Sequence, residues 1–129
     1  MSSPEDPGSK YFSKKATSRD RAVFEAGIAV GTIIHQFTGV PLKTKEDAEL
    51  LAEVIRRAVL AQPYRVEADV KVEFEKPERP PPYDYTTLKS SNINARVVVK
   101  YNNVRVVARV RYIPEIGYTL GYIEDIEEL

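Results

Sequence analysis

With 129 residues, 43% of them hydrophobic and 29% charged, the chain reads as one soluble globular domain large enough to bury a core. Nineteen basic residues cancel nineteen acidic ones, so no global field draws it toward nucleic acid or an anionic membrane. With no cysteine and one histidine, it has no disulfide framework, no thiolate nucleophile and no conventional zinc site within a single chain. The longest apolar stretch, 26–34, is about half the ~20 residues a bilayer span needs, and the N-terminus lacks a signal-peptide core. The expectation is a cytoplasmic protein.

Residues 1–16 are rich in Ser, Pro, Gly and Lys and read as a flexible tail. Residues 17–129 read as one α+β catalytic domain. Thr17 and Ser18 are helix caps, and apolar residues at Ala22, Val23, Ala26, Val30, Ile33, Ile34 and Phe37 have helical spacing. Gly27 and Gly31 share a face of this helix, where another element should approach closely. Gly39 and Pro41 end it. Thr44-Lys45-Glu46-Asp47 starts a second helix, whose apolar stripe runs from Ala48 to Val59 and which stops near Gln62, before Pro63.

From Val66 the period changes to two, with Val66, Ala68, Val70, Val72 and Phe74 on the packed face. Pro77 to Pro82 interrupt regular structure. Strands then run from Ile93 to Tyr101 and from Val104 to Ile113, joined by Asn102-Asn103 as a hairpin turn. A short fourth strand runs from Tyr118 to Ile123, and the acidic end, Glu124 to Glu128, reads as solvated. The architecture is α+β: two helices packed on one face of a mainly antiparallel sheet of about four strands.

Chemistry is sought where polar groups interrupt this pattern. Glu25 is either a helix glutamate paired with Arg21 or an anchor carboxylate accepting two parallel N–H bonds from a flat heterocycle. His35 is either a satisfied core residue or a proton-transfer group. Ten residues of helix separate the two by ~15 Å of rise and turn their side chains ~80° apart. Either a long ligand spans them or a site joins helices of different subunits. Gln62 either caps the helix end or reads a lactam edge with its amide. The Tyr83-Asp84-Tyr85 stretch is either a stiff surface loop or a carrier of site residues, and Tyr112, Tyr118 and Tyr122 fall on or beside strands. No phosphate loop, nucleophile elbow or metal-ligand spacing is present. Arg105, Arg109 and Arg111 form the polar side of one strand, not a nucleic-acid surface.

Phe24-Glu25-Ala26-Gly27-Ile28 and His35-Gln36-Phe37 with Gly39 and Pro41 resemble the archaeal dihydroneopterin aldolase family of methanopterin-type cofactor synthesis. Gln62-Pro63-Tyr64, Tyr83-Asp84-Tyr85-Thr86-Thr87-Leu88 and Tyr118-Thr119-Leu120-Gly121-Tyr122-Ile123 are similar to that family in the same order, although Thr119 stands where its pattern has proline. The resemblance covers residue 17 to the end. It implies metal-free retro-aldol cleavage of 7,8-dihydroneopterin, with no cofactor and no lysine Schiff base, in a small homo-oligomer, a tetramer. It also implies that Glu25 holds the amino and ring N–H edge of the pterin and that Gln62 holds its lactam side or a water. Tyr85 and Tyr118 are then the proton-transfer groups, and His35 a hydroxyl contact or relay. The rival functions are a non-catalytic pterin- or purine-binding protein and a structural oligomeric domain.

Overall fold

The computed structural model describes residues 6–129. Residues 1–5 of the expected tail lie outside the described residues. Helix α1 spans Ser18–Gln36 and helix α2 spans Lys45–Leu60. Both begin with the same device. The Thr17 hydroxyl accepts from the Asp20 N–H while the Asp20 carboxylate accepts from the Thr17 N–H; Thr44 and Asp47 repeat it for α2. Each exchange satisfies two of the donors that a helix start leaves unpaired.

Between the helices Pro41–Leu42 forms β1, which pairs with β3, Thr86–Thr87, as a two-stranded ribbon. The main sheet consists of β2 (Arg65–Val72), β4 (Ile93–Tyr101), β5 (Val104–Ile113) and β6 (Tyr118–Glu128), antiparallel in the order β2-β4-β5-β6. The β4–β5 turn is the expected two-residue hairpin, with Asn102 at φ 53°, where asparagine is tolerated. Helix α1 lies across β4, β5 and β6, and α2 covers β2. Their shared interior holds Ala22, Ala26 and Ile33 from α1, Ile55 from α2, and Val97, Val99, Val106 and Val110 from the sheet. Among the described residues no helix is long and apolar enough to cross a membrane.

Four expectations need correction. First, Asp6 and Phe12, within the expected tail, are packed against the domain. The Asp6 side chain is buried against Arg21 and Tyr101, and the Phe12 ring meets Phe24 edge-on at 5.8 Å. Second, a bulge between Arg65 and Glu67 leaves Val66 half exposed and turns Arg65 inward, so the packed face of β2 starts at Ala68. Third, the acidic end is the outer half of β6 rather than a solvated tail. A bulge between Val107 and Ala108 re-aims it, so that Ile126 packs on the core and Glu124 pairs with Arg109 at 3.2 Å. Fourth, among the described residues no other element of this chain approaches Gly27 or Gly31: a Cβ at either would have no heavy atom of another element within 4 Å.

The close approach occurs instead at Gly121 in β6. A Cβ there would lie 3.0 Å from Val30 Cγ2, 3.3 Å from Val30 Cβ and 3.4 Å from Ile34 Cδ1. These contacts set how closely α1 can lie on the sheet. Gly121→Ala should therefore lower the unfolding free energy by about 1–3 kcal/mol, the cost of overpacking, as measured by urea denaturation. A change within about 0.5 kcal/mol, the range of unconstrained surface positions, would contradict this packing.

Candidate functional site

The Glu25 carboxylate sits on the flank of α1 that faces α2 and β2, with its side chain only 15% exposed. Arg21, one turn earlier on the same helix, places Nη2 3.9 Å from one carboxylate oxygen. Arg65, turned inward by the β2 bulge, places Nη2 3.8 Å from the other and reaches the Glu25 backbone carbonyl at 3.4 Å. The ion pair with Arg21 is the one that spacing predicts. Its partner from β2 is not readable from sequence. At these distances two cations compensate the carboxylate without forming short hydrogen bonds to it. Burial pushes the Arg65 guanidinium below its ordinary pKa, while the Glu25 charge acts in the opposite direction.

Arg21 is held from its other side. Its Nη1 donates to Asp6 Oδ2 at 2.8 Å and to the Tyr101 hydroxyl at 3.1 Å, and Tyr101 itself donates to Asp6 Oδ2 at 2.6 Å. The guanidinium also lies over the rings of Phe12 (3.7 Å) and Tyr101 (4.5 Å). Asp6, Arg21, Glu25 and Arg65 thus form a continuous chain of alternating charge. The hydrogen bond from Tyr101 is the main reason that the Asp6 carboxyl lies at about 2; burial opposes it, and Arg21 and the Gly8 N–H add to it. Burial, and then the Asp6 bond, raise the Tyr101 phenol to about 12.

Gln62 lies on the same flank as Glu25. With Thr32, Gln36 and Arg65 it lines a cavity of about 60 Å³, too small for a bicyclic ring. His35 lies further along α1, on the side toward β6. With Thr38, Ser90, Ser91, Tyr112 and Tyr118 it lines an open cleft of about 580 Å³, a size that accommodates a small organic ligand. His35 and Tyr118 are therefore brought together, although 83 positions of sequence separate them. Tyr112, Ser90 and Ser91 join them: the β5–β6 pairing brings Tyr112 beside Tyr118, and the turn before β4 brings the serines, with the Ser90 hydroxyl 3.2 Å from that of Thr119.

Tyr85 stands apart. It lies in the loop after Pro82, its ring under the Arg79 guanidinium at 4.4 Å, and its cleft shares no lining residue with that of His35. The β1–β3 ribbon and the Gly39–Leu88 bond tie that loop to the C-terminal end of α1. A groove of about 620 Å³ between α2 and β2, lined by Lys45, Glu49, Lys71 and Phe74 among others, contains none of the candidate residues. Among the described residues no group of three His, Cys, Asp or Glu side chains could hold a metal ion.

A single chain thus offers two separate half-sites. One is a charge-compensated carboxylate suited to an N–H edge, and the other a cleft of imidazole, phenols and hydroxyls suited to alcohols and proton transfer.

Comparison with known proteins gives a consistent result. The family described as "Dihydroneopterin aldolase" matches residues 17–124. A Methanopyrus kandleri protein named dihydroneopterin aldolase is 35% identical over 120 residues, covering 93% of this chain and 98% of its own. One of the same name from Picrophilus torridus is 34% identical over 122 residues, covering 94% and 98%. A crystal structure of a Picrophilus torridus protein superposes with a TM-score of 0.80 at 32% identity, over 96% of this chain and 97% of that one.

The depressed Asp6 carboxyl has a consequence for acid stability. A group whose pKa falls on folding contributes stability above its unfolded value, here 3.8, and loses it as pH falls through about 2. The difference in unfolding free energy between the wild type and Asp6→Asn should be constant down to about pH 4 and shrink below that. Urea titrations at a series of pH values would show it. A difference independent of pH would contradict the charge network.

Proposed function

The chain belongs to the dihydroneopterin aldolase family, and on that basis we propose that it is an aldehyde-lyase acting on 7,8-dihydroneopterin. It cleaves this substrate to 6-hydroxymethyl-7,8-dihydropterin and glycolaldehyde, without a metal, in methanopterin-type cofactor synthesis in the cytoplasm. The observation that carries the reading is the Glu25 carboxylate, compensated by Arg21 and Arg65 at 3.9 and 3.8 Å yet not hydrogen-bonded by either. Its oxygens remain able to accept two parallel N–H bonds from the 2-amino and ring N–H edge of a pterin.

In 7,8-dihydroneopterin the bond between the first and second side-chain carbons lies next to the ring imine. When a base takes the proton of the second hydroxyl, that bond breaks, its electrons pass into the ring, and glycolaldehyde leaves. A proton returned to the first carbon then restores the imine. The ring serves as electron sink, so the protein has to hold it, accept one proton and deliver one. Glu25 holds the ring edge, and Gln62 holds its lactam side or an ordered water. Tyr118 and Tyr85 are the proton-transfer candidates, and His35 contacts a side-chain hydroxyl or relays the proton.

Glu25 faces Arg65, whereas His35, ~15 Å further along α1, faces the cleft beside Tyr118, so we assign the complete site to two copies of the chain in a homo-oligomer, a tetramer. The uncovered face of α1 supports this assembly. Phe24 is 54% exposed, Ile28 is 43% exposed, and the space beside Gly27 and Gly31 is open. Small residues there would let a second backbone approach closely.

Two predictions follow from these roles. Incubation with 7,8-dihydroneopterin should release glycolaldehyde at the same rate with and without EDTA, and Glu25→Gln should lower kcat/KM by roughly 10- to 100-fold, the value of a charged hydrogen bond. Pterin-induced stabilisation without product would instead identify a binding protein. Separately, Gly31→Leu should leave the lone chain at least as stable, because helix propensity improves by roughly 0.5–1 kcal/mol. It should nevertheless lower the mass measured by light scattering and abolish cleavage. Unchanged mass and activity would remove this face from the assembly.

A further inference from the structure

We propose that Asp6 is a positioning residue for the pterin site: by holding Arg21, it keeps the Glu25 carboxylate free to accept hydrogen bonds from the substrate. This rests on the reading of Glu25 as the ring anchor. Asp6 lies outside residues 17–124, the part of the chain that matches the family.

Two carboxylates compete for one guanidinium. Arg21 and Glu25 are four residues apart on a helix, a spacing at which such pairs meet directly. They do not meet closely here: the separation is 3.9 Å, whereas Arg21 lies 2.8 Å from Asp6. The preference for Asp6 is built in from several sides. Tyr101 donates to the same Asp6 oxygen and accepts from Arg21 Nη1, and the rings of Phe12 and Tyr101 flank the guanidinium. The side chains of Arg21 and Asp6 are 7% and 6% exposed, so solvent cannot readily replace either partner. Arg65 Nη2, for its part, donates to the Glu25 carbonyl at 3.4 Å and stays 3.8 Å from the carboxylate.

Without the Asp6 charge, Arg21 would have one carboxylate left within reach among the described residues, that of Glu25. It would close on Glu25, and the resulting short bond would occupy an oxygen that the ring edge needs. Asp6 therefore acts on the ligand through Arg21 and touches neither substrate nor reacting atoms. The low pKa of Asp6 keeps it charged throughout the working range of an enzyme.

The test is a double-mutant cycle read by binding of oxidised neopterin, which retains the amino and lactam edge but does not react. Asp6→Asn should raise its Kd roughly tenfold, the loss of one charge-assisted hydrogen bond, and should raise KM for 7,8-dihydroneopterin more than it lowers kcat. In the Glu25→Gln background the same substitution should have no further effect on Kd. Tyr101→Phe, which keeps both charges and removes one hydrogen bond to Asp6, should shift Kd in the same direction by a smaller factor and provides the test if Asp6→Asn folds poorly. An equal loss of affinity from Asp6→Asn in both backgrounds would mean that Asp6 only supports the fold, overturning the proposal, as would wild-type affinity in Asp6→Asn and Tyr101→Phe. Wild-type affinity in Glu25→Gln alone would be a different failure: it would remove Glu25 as anchor, and this proposal with it.

Discussion

Helix α1 is constrained on one side by the sheet and on the other by its own pitch. The sheet must be small where the helix crosses β6, because a Cβ at Gly121 would meet Val30 and Ile34 at 3.0–3.4 Å. Ala22, Ala26 and Ala29 keep the helix low on the strands elsewhere. With the helix fixed in this way, its flanks are committed. Glu25 faces β2 and the end of α2, where Arg65 and Gln62 wait, and His35 faces β6, where Tyr118 and Tyr112 wait. Ten residues of rise, ~15 Å, keep the two half-sites apart within one chain. The proposed division of the site requires a second copy, and the Phe24–Gly31 face, exposed among the described residues, is where the fold leaves room for one.

The charge chain from Asp6 to Arg65 is the other device on which the site depends. A buried carboxylate beside a short arginine contact has its oxygens occupied, and one without a cation nearby is costly to keep ionised. Two arginines at nearly 4 Å occupy the middle ground, and each is kept there by something else: Asp6 and Tyr101 for Arg21, the β2 bulge and a backbone carbonyl for Arg65. The state of the Glu25 carboxylate is thereby tied to residues far from it in sequence, Asp6, Arg65 and Tyr101.

What the sequence discloses follows the range of the interactions involved. Both helices, their threonine caps and the Asn102-Asn103 hairpin depend on neighbours a few positions away, and they stand where patterning puts them. The same holds for the Arg21–Glu25 pair at i, i+4. Features set by distant partners were not legible. Asp6 reads as tail because its partners lie 15 and 95 residues away. Glu124 to Glu128 read as solvated because the strand this segment pairs with, β5, and the Arg109 that meets Glu124 lie more than ten residues away. Arg65 is inward only because a bulge shifts the register at Val66, which alternation alone places in the core. Glu25, Gln62, His35, Tyr85 and Tyr118 were chosen from residue chemistry and family resemblance. Their grouping into flanks required the order of the strands.

The most direct test of this account is subunit complementation. Glu25→Gln and Tyr118→Phe chains, each impaired alone, would be mixed, dissociated and reassembled, then assayed for glycolaldehyde release from 7,8-dihydroneopterin. If each site takes its ring anchor from one copy and its proton-transfer cleft from another, mixed assemblies contain sites with both groups intact, and activity returns. If the mixture stays as inactive as its components while forming mixed assemblies, Glu25 and Tyr118 serve a site within one chain, and the division of the site across two copies is wrong.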